Sequence, residues 1–347
     1  MRSPRILLSA IVTLLLVVCV ALPSAARNPD PQAGEFCAAE LPLGSPSLQE
    51  TRTTTEVAPG VTYTLIERGE QSEDDFFTVD VAFKADLAAA ETLAEGLRAE
   101  GYEPLIETIS ERAPDDPQSG PLGYLVRVGS FTTQAEADAL RAELTAKGYT
   151  GLRTVYAGED GNETSGPWVV HVLGIDPDLY DGTITPELAT EIVPERETLT
   201  SISDRIDSLA AINGGYFVIG ENDGTPGDLA GISVIDGVLV SEAVDGRTSL
   251  ILPPGSGEGA DIASLSDTTA ATSSDGATRE VDGRQPDYSV GASFEESALI
   301  MQALCAVEAV NLDGGGSTAM TIGEELVNQP SDPTGERPIG EAIVVLP

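Results

Sequence analysis

Apolar and polar residues recur along this chain with two periods, and the switches between them mark its elements. Thr53 to Gly69 (TTTEVAPGVTYTLIERG) alternates with a period of two and is rich in Thr, Val and Tyr, which predicts one or two strands. EQSEDD follows as a charged linker. Phe76 to Phe83 (FFTVDVAF) again reads as a strand, and DLAAAETLAEGLRAEGYEP shifts to a helical period with Leu93 and Leu97 on one face. The same sequence of events then repeats. Gly123 to Phe131 (GYLVRVGSF) is a strand, and TQAEADALRAELTAKGYTG is a helix with Leu140 and Leu144 in the matching places. Each helix runs into Gly-Tyr, at Gly101-Tyr102 and Gly148-Tyr149, where glycine suits a left-handed C-terminal cap. Each is followed by a further strand, LIETIS and LRTVYA. The repeat therefore predicts βαβ-βαβ, a small sheet backed by two helices, with RAPDDPQSGP as the loop between halves.

After a second linker, GEDGNETSG, the pattern changes. In PWVVHVLGIDP both alternating sets are apolar: Trp168, Val170 and Val172 on one face, Val169, His171 and Leu173 on the other. That is a strand buried on both faces, which makes His171 a core or edge residue rather than a base. Ser201 to Ser208 reads as a helix leading into a strand at Leu209 to Asn213, and LAGISVIDGVLVSEA as a hairpin turning at Asp236-Gly237. Ser293 and Glu296 form a capping box that starts a helix with Leu299, Ile300, Ala303 and Leu304 on its apolar face. A strand from Ala309 to Leu312 is expected to follow and to present Asp313 at its end. TAMTIGEELVN is a hairpin and GEAIVVLP a last buried strand.

The first residues set the compartment. Arg2 and Arg5 precede an apolar run from Ile6 to Leu22, and Ser24-Ala25-Ala26 offers small residues for cleavage, the layout of a secretory signal peptide. An uncleaved anchor is the alternative; after cleavage no stable membrane span is expected. Bulky Val18 argues against lipidation at Cys19. In an oxidising compartment Cys37 and Cys305 could pair, or Cys305 could be a buried thiol. With 57 acidic against 18 basic residues the net charge is -39, a field that repels nucleic acid and anionic membranes. It serves solubility and names no substrate.

Two loops concentrate the candidate chemistry. AAINGGYF contains Asn213, Gly214 and Gly215; AVNLDGGGST contains Asn311, Asp313, Gly314, Gly315, Gly316, Ser317 and Thr318. Glycines let backbone N–H groups approach a ligand, and consecutive amides can cradle an anion. Asn both donates and accepts, and Asp accepts from hydroxyls or moves a proton. Taken alone, NGG would be a tight turn. A third loop, NQPSDPTGERPIGEA, brings Asn328, Ser331, Asp332, Glu336 and Arg337, whose planar fork suits phosphate or an internal carboxylate. The chain has two lysines and no Gly-Lys-Ser/Thr, so no nucleotide phosphate loop is present. The single histidine sits mid-strand, which excludes a Ser-His-Asp hydrolase and leaves no Cys/His cluster for zinc.

These segments carry two resemblances. The repeat, above all YLVRVGSFTTQAEADALRAELTAKGY, resembles the SPOR domain, which implies a ferredoxin-like fold and binding to peptidoglycan glycan strands. The face carrying Tyr124, Val126 and Val128, or the opposite face with Arg127, would bind. AAINGGYF, GISVIDGVLVSE, AVNLDGGGSTAM and VNQPSDPTGERPIGEAIVVLP, with the opening VAPGVTYTLIERG, resemble the phosphodiester glycosidase family. Its mammalian member is the uncovering enzyme that removes N-acetylglucosamine from phosphodiester-linked sugars. The resemblance implies hydrolysis of a sugar-1-phosphodiester glycoconjugate. Asp313 would be the principal carboxylate and Glu336 or Asp332 the second. Asn213 and Asn311 would bind the sugar or orient the loop, Ser317, Thr318 and Arg337 would hold the phosphate, and Arg284 of VDGR would join in substrate binding. No metal or cofactor is implied.

The expected organisation is α+β: a signal peptide (1–26), a flexible segment (27–50), opening strands (51–72), a SPOR-like domain inserted at 76–157, a linker (158–166) and a mixed-sheet glycosidase-like domain (167–347). Against the family, the polar interval between 253 and 282 reads as shortened. The alternative function is therefore a wall-binding protein with a degenerate, non-catalytic domain.

Overall fold

The structure is a computed structural model and describes residues 39–72, 74–109, 119–158, 164–222, 224–242, 247–255, 260–264, 277–281, 285, 288–306, 308–332 and 334–347. The signal-peptide reading, Cys19, Cys37 and Arg284 lie outside these residues. Among the described residues no helix is long and apolar enough to cross a membrane.

The threonine-rich opening forms a hairpin, β1 (Glu50–Ala58) and β2 (Val61–Arg68). The internal repeat follows as β3 (Phe77–Lys84), α1 (Leu87–Ala99), β4 (Pro104–Ile109), β5 (Gly123–Phe131), α2 (Gln134–Ala146) and β6 (Arg153–Tyr156). Its strands lie in the order β4-β5-β3-β6, the ferredoxin-like arrangement. Both helices end in a Schellman cap. Tyr102 N–H donates to Leu97 O and Gly101 N–H to Arg98 O; Tyr149 and Gly148 do the same to Leu144 and Thr145. Gly101 and Gly148 sit at φ of 93° and 99°, the left-handed backbone that the repeat predicts. Ala90, Leu97, Ala137 and Leu144 of the helices pack on Val79, Val81, Val126 and Val128. The helices thus cover the Tyr124/Val126/Val128 face, and the Arg127 face is open.

The second domain continues with β7 (Trp168–Ile175), β8 (Thr183–Leu188), α3 (Leu199–Ile206), β9 (Ala210–Asn213), β10 (Ser233–Ile235), β11 (Val238–Ser241), β12 (Thr248–Ile251), β13 (Asp261–Ser264), β14 (Ala277–Val281), α4 (Phe294–Ala303), β15 (Met320–Ile322), β16 (Glu325–Leu326) and β17 (Glu341–Leu346). β1-β2-β7-β14 form one sheet and β16-β15-β9-β17-β8 another. The alternation within each strand stacks them. Leu173 of β7 and Val61 of β2 meet Ile212, Met320 and Val345 between the sheets. Val170 and Val172 face outward onto Ile300 and Leu304 at α4. Ala211, Ala342 and Val344 face outward onto Leu199 and Ile202 of α3. β7 is buried on both faces, as its double apolar pattern requires, and His171 is enclosed between the Tyr63 and Tyr288 hydroxyls. The α+β class is observed. Hairpins and antiparallel neighbours build the described sheets throughout, so no parallel pairing makes them mixed.

Two further expectations are corrected. Residues 39–50 are not a flexible segment: Leu41 and Leu43 are fully buried against Trp168, and Arg68 donates to the carbonyls of Leu43 and Ser45. Ala309 to Leu312 is not a strand; it runs as irregular chain from the end of α4 into the glycine loop. The interval read as shortened holds β13, hairpinned to β12, and the whole of β14. Cys305 is disulfide-bonded.

Candidate active site

The site lies where three strands of the second sheet end together: the C-terminal end of β9 and the N-terminal ends of β15 and β17. Asn213 closes β9 and joins the two glycine loops. It is 1% exposed; its Nδ2 donates to the carbonyls of Asp313 (2.8 Å) and Gly214 (3.2 Å), and its Oδ1 accepts from Ala319 N–H (3.1 Å). Asp313 N–H donates to Gly214 O at 3.2 Å. All the polar atoms of the Asn213 side chain are therefore spent on the loops, and it positions rather than binds. Asn328 does the same on the far side, accepting from Met320 N–H (2.8 Å) and donating to Thr318 O (3.1 Å).

This stitching fixes Asp313 in a polar relay. Its carboxylate accepts from Gly314 N–H at 2.9 Å and is hydrogen-bonded to Ser317. Ser317 Oγ accepts from Arg337 Nη1 (3.2 Å), and Arg337 forks onto Asp332 through Nε and Nη2, both at 2.7 Å. Burial pushes the Asp313 carboxyl up, against Ser317, Gly314 and the charges of Arg337 and Arg247. Asp332 is driven down to about 2 by Thr334 N–H and Oγ1 and then by Arg337, which suits a counter-ion better than an acid. Glu336 points elsewhere: it accepts from Thr200 N–H (2.8 Å) and Oγ1 (2.7 Å) in the first turn of α3. It caps a helix, and helix capping uses the carboxylate that proton transfer would need.

The three glycines divide the labour. A Cβ on Gly316 would lie 2.5 Å from Arg337 Nη2, so its absence admits the guanidinium. Gly315 has φ of 61° and, like Gly314, faces open space. Gly314 and Gly315 are exposed, so a ligand can approach the loop from this side, while the Gly314 N–H is held by Asp313 Oδ1. Thr318 is buried beneath them.

Three residues at the site carried no sequence assignment. Tyr216, 39% exposed, takes a hydrogen bond from Asn311 Nδ2 at 3.0 Å. The Arg247 guanidinium lies 4.6 Å from the Tyr216 ring centre and contributes to the field at Asp313. Glu341 opens β17 beside the NGG turn and accepts from Gly215 N–H (3.3 Å) and Ser233 Oγ (2.9 Å); burial pushes its carboxyl up. A lone acid at the head of an apolar strand was the available signal for Glu341. Among the described residues no group of His, Cys, Asp or Glu side chains is placed to hold a metal.

Residues 277–346 match the family model for phosphodiester glycosidase, and residues 73–154 and 120–164 match that for the SPOR domain. One segment of the chain is thus similar to SPOR domains and its last part to phosphodiester glycosidases. Asn311 to Thr318, Asp332, Arg337 and Glu341 fall within the matched glycosidase segment, whereas Asn213, Tyr216 and Arg247 lie before it. A crystal structure of a protein from Burkholderia pseudomallei K96243, provisionally described as exported, superposes with a TM-score of 0.74 at 22% identity, over 90% of this chain and 99% of that one. The two share this fold. A hypothetical protein from Synechocystis gives a TM-score of 0.33 at 14% identity over 86% and 79% of the two chains, too low to argue from. No curated protein sequence matches the chain.

Proposed function

We propose that this protein is an exported, wall-bound hydrolase that cleaves the bond between the anomeric carbon of an N-acetylglucosamine-type sugar and a phosphodiester phosphate. The observation that carries the reading is the Asp313 relay: a half-buried carboxylate within the field of Arg247 and Arg337, beside two exposed glycines. Phosphate is a weakly basic leaving group, so holding its charge matters more than protonating it. The exposed Gly315 backbone and Arg247 supply that hold. Arg337 acts through Ser317, since Asp332 occupies its fork. Asp313 takes the proton of the attacking water, or faces the oxocarbenium-like centre, as the C1–O bond breaks and the phosphomonoester leaves with its electron pair.

The SPOR domain supplies the wall contact. Strand register places Leu105, Arg127, Asp80 and Arg153 in one row of the open face and Glu107, Leu125 and Phe83 in the next. Phe83 is 49% and Leu105 55% exposed, and Arg127 is held by Asp80 and Glu107. An exposed ring and aliphatic groups beside fixed charges suit the apolar and hydroxyl faces of a pyranose. The test is co-sedimentation with purified sacculi together with release of free sugar from an N-acetylglucosamine-1-phosphodiester. Phe83→Ala with Leu105→Ala should abolish sedimentation and leave release intact. Sedimentation without release would favour the non-catalytic alternative.

A further inference from the structure

The SPOR domain leaves the chain after Arg68 and returns at Trp168, and these two residues are register partners in β2 and β7. An inserted domain on such a base could swing freely. Here the two connections are bonded to each other. Glu70 N–H donates to Ser165 O (2.9 Å), Ser165 Oγ returns a bond to Glu70 O (2.7 Å), and Thr164 Oγ1 donates to Asp75 (2.9 Å). Ala157 N–H donates to Phe76 O at 2.8 Å, and Gln71 Nε2 to the Tyr156 hydroxyl at 3.1 Å. Two glycines permit the approach: a Cβ on Gly69 would lie 2.0 Å from Ser165 O, and one on Gly158 2.7 Å from Asp75 Oδ2.

The cores are continuous as well. Tyr156, the last residue of β6, is buried in the same cluster as Ile66, Trp168, Ile300 and Leu304, with Phe77 against it at a ring separation of 5.1 Å. SPOR-domain aromatics thus belong to the core of the glycosidase-like domain. Packed aromatic contacts of this kind resist the hinge that flexible linkers allow.

We infer that the SPOR domain is a fixed arm and not a tethered anchor. A glycan strand on its open face is presented to the glycine loops at one distance and angle, so the substrate is a phosphodiester borne on the wall rather than a free one. The inference rests on the function proposed above. The test compares the full chain with a variant carrying a ten-residue Gly/Ser insertion after both Gln71 and Gly158. Release of sugar is followed from a soluble N-acetylglucosamine-1-phosphodiester and from sacculi. The expected result is equal turnover of the soluble compound, which also shows that the variant folds, and at least tenfold less release from sacculi. Spin labels at exposed Glu95 and Asp204 should give one narrow distance in the unmodified chain. A broad distance distribution there, or undiminished release from sacculi by the inserted variant, would overturn the inference. No release from either substrate by the unmodified chain would overturn the proposed function, and presentation with it.

Discussion

Asn213 and Asp313 show how little a single side chain reveals of its work before its neighbours are known. Asn213 has the chemistry of a sugar ligand, but its amide is consumed in holding Ala319, Gly214 and Asp313. Asn213→Ala should therefore destabilise the chain by about 2 kcal/mol, the cost of leaving buried backbone groups unpaired. Urea unfolding reads that loss, and turnover should fall with it. Asp332 contributes differently. Its carboxyl is lowered from the ordinary 3.8 to about 2, so its stabilising effect is complete above the unfolded value and lost as pH falls toward 2. The melting temperatures of Asp332→Asn and the parent should differ at pH 6 and converge near pH 2. Arg247→Met should lower kcat/KM about 100-fold, as removal of one charge-holding donor does elsewhere, with little change in melting temperature. Asp313 and Ser317 stood out in the sequence because polar types crowd one glycine loop, and Arg337 because of the GERP loop; the structure joins the three by hydrogen bonds. Glu336 was misleading for the same reason: its partner Thr200 is 136 positions away, and sequence proximity to Arg337 hid the helix it caps.

At the scale of elements, period and caps carried most of the information. The repeat from Phe76 to Tyr156 could be read because each strand, helix and Gly-Tyr cap recurs with matched leucines. Its caps make a direct test. Gly101→Ala and Gly148→Ala each force a side chain into left-handed backbone and should each cost about 1 kcal/mol, measured as earlier unfolding by hydrogen exchange in α1 and α2. The same caps bring Tyr102 to Glu143 and Tyr149 to Glu100, so each helix is tied to the end of the other. The failures are non-local. Ala309 to Leu312 has a strand's composition, but a strand also needs a partner, and this segment joins no sheet. Leu41 and Leu43 sit in a Pro/Gly/Ser-rich stretch whose composition suggests flexibility; a waiting cavity beside Trp168 decides otherwise.

Across the whole molecule, two sheets stacked between α3 and α4 bring β9, β15 and β17 to a common end, and the SPOR domain is built into the edge of that stack. The net charge of -39 is a field that repels polyanions, while Arg247 and Arg337 place positive charge at the glycine loops. The central claim is that this loop pair is a hydrolytic site with Asp313 at its centre. The most direct measurement is free N-acetylglucosamine released from an N-acetylglucosamine-1-phosphodiester, run for the parent and for Asp313→Ala with folding of both verified by circular dichroism. The account predicts steady release by the parent and a fall of at least about 1,000-fold in the variant. Equal release by both, or none by a folded parent, would contradict it.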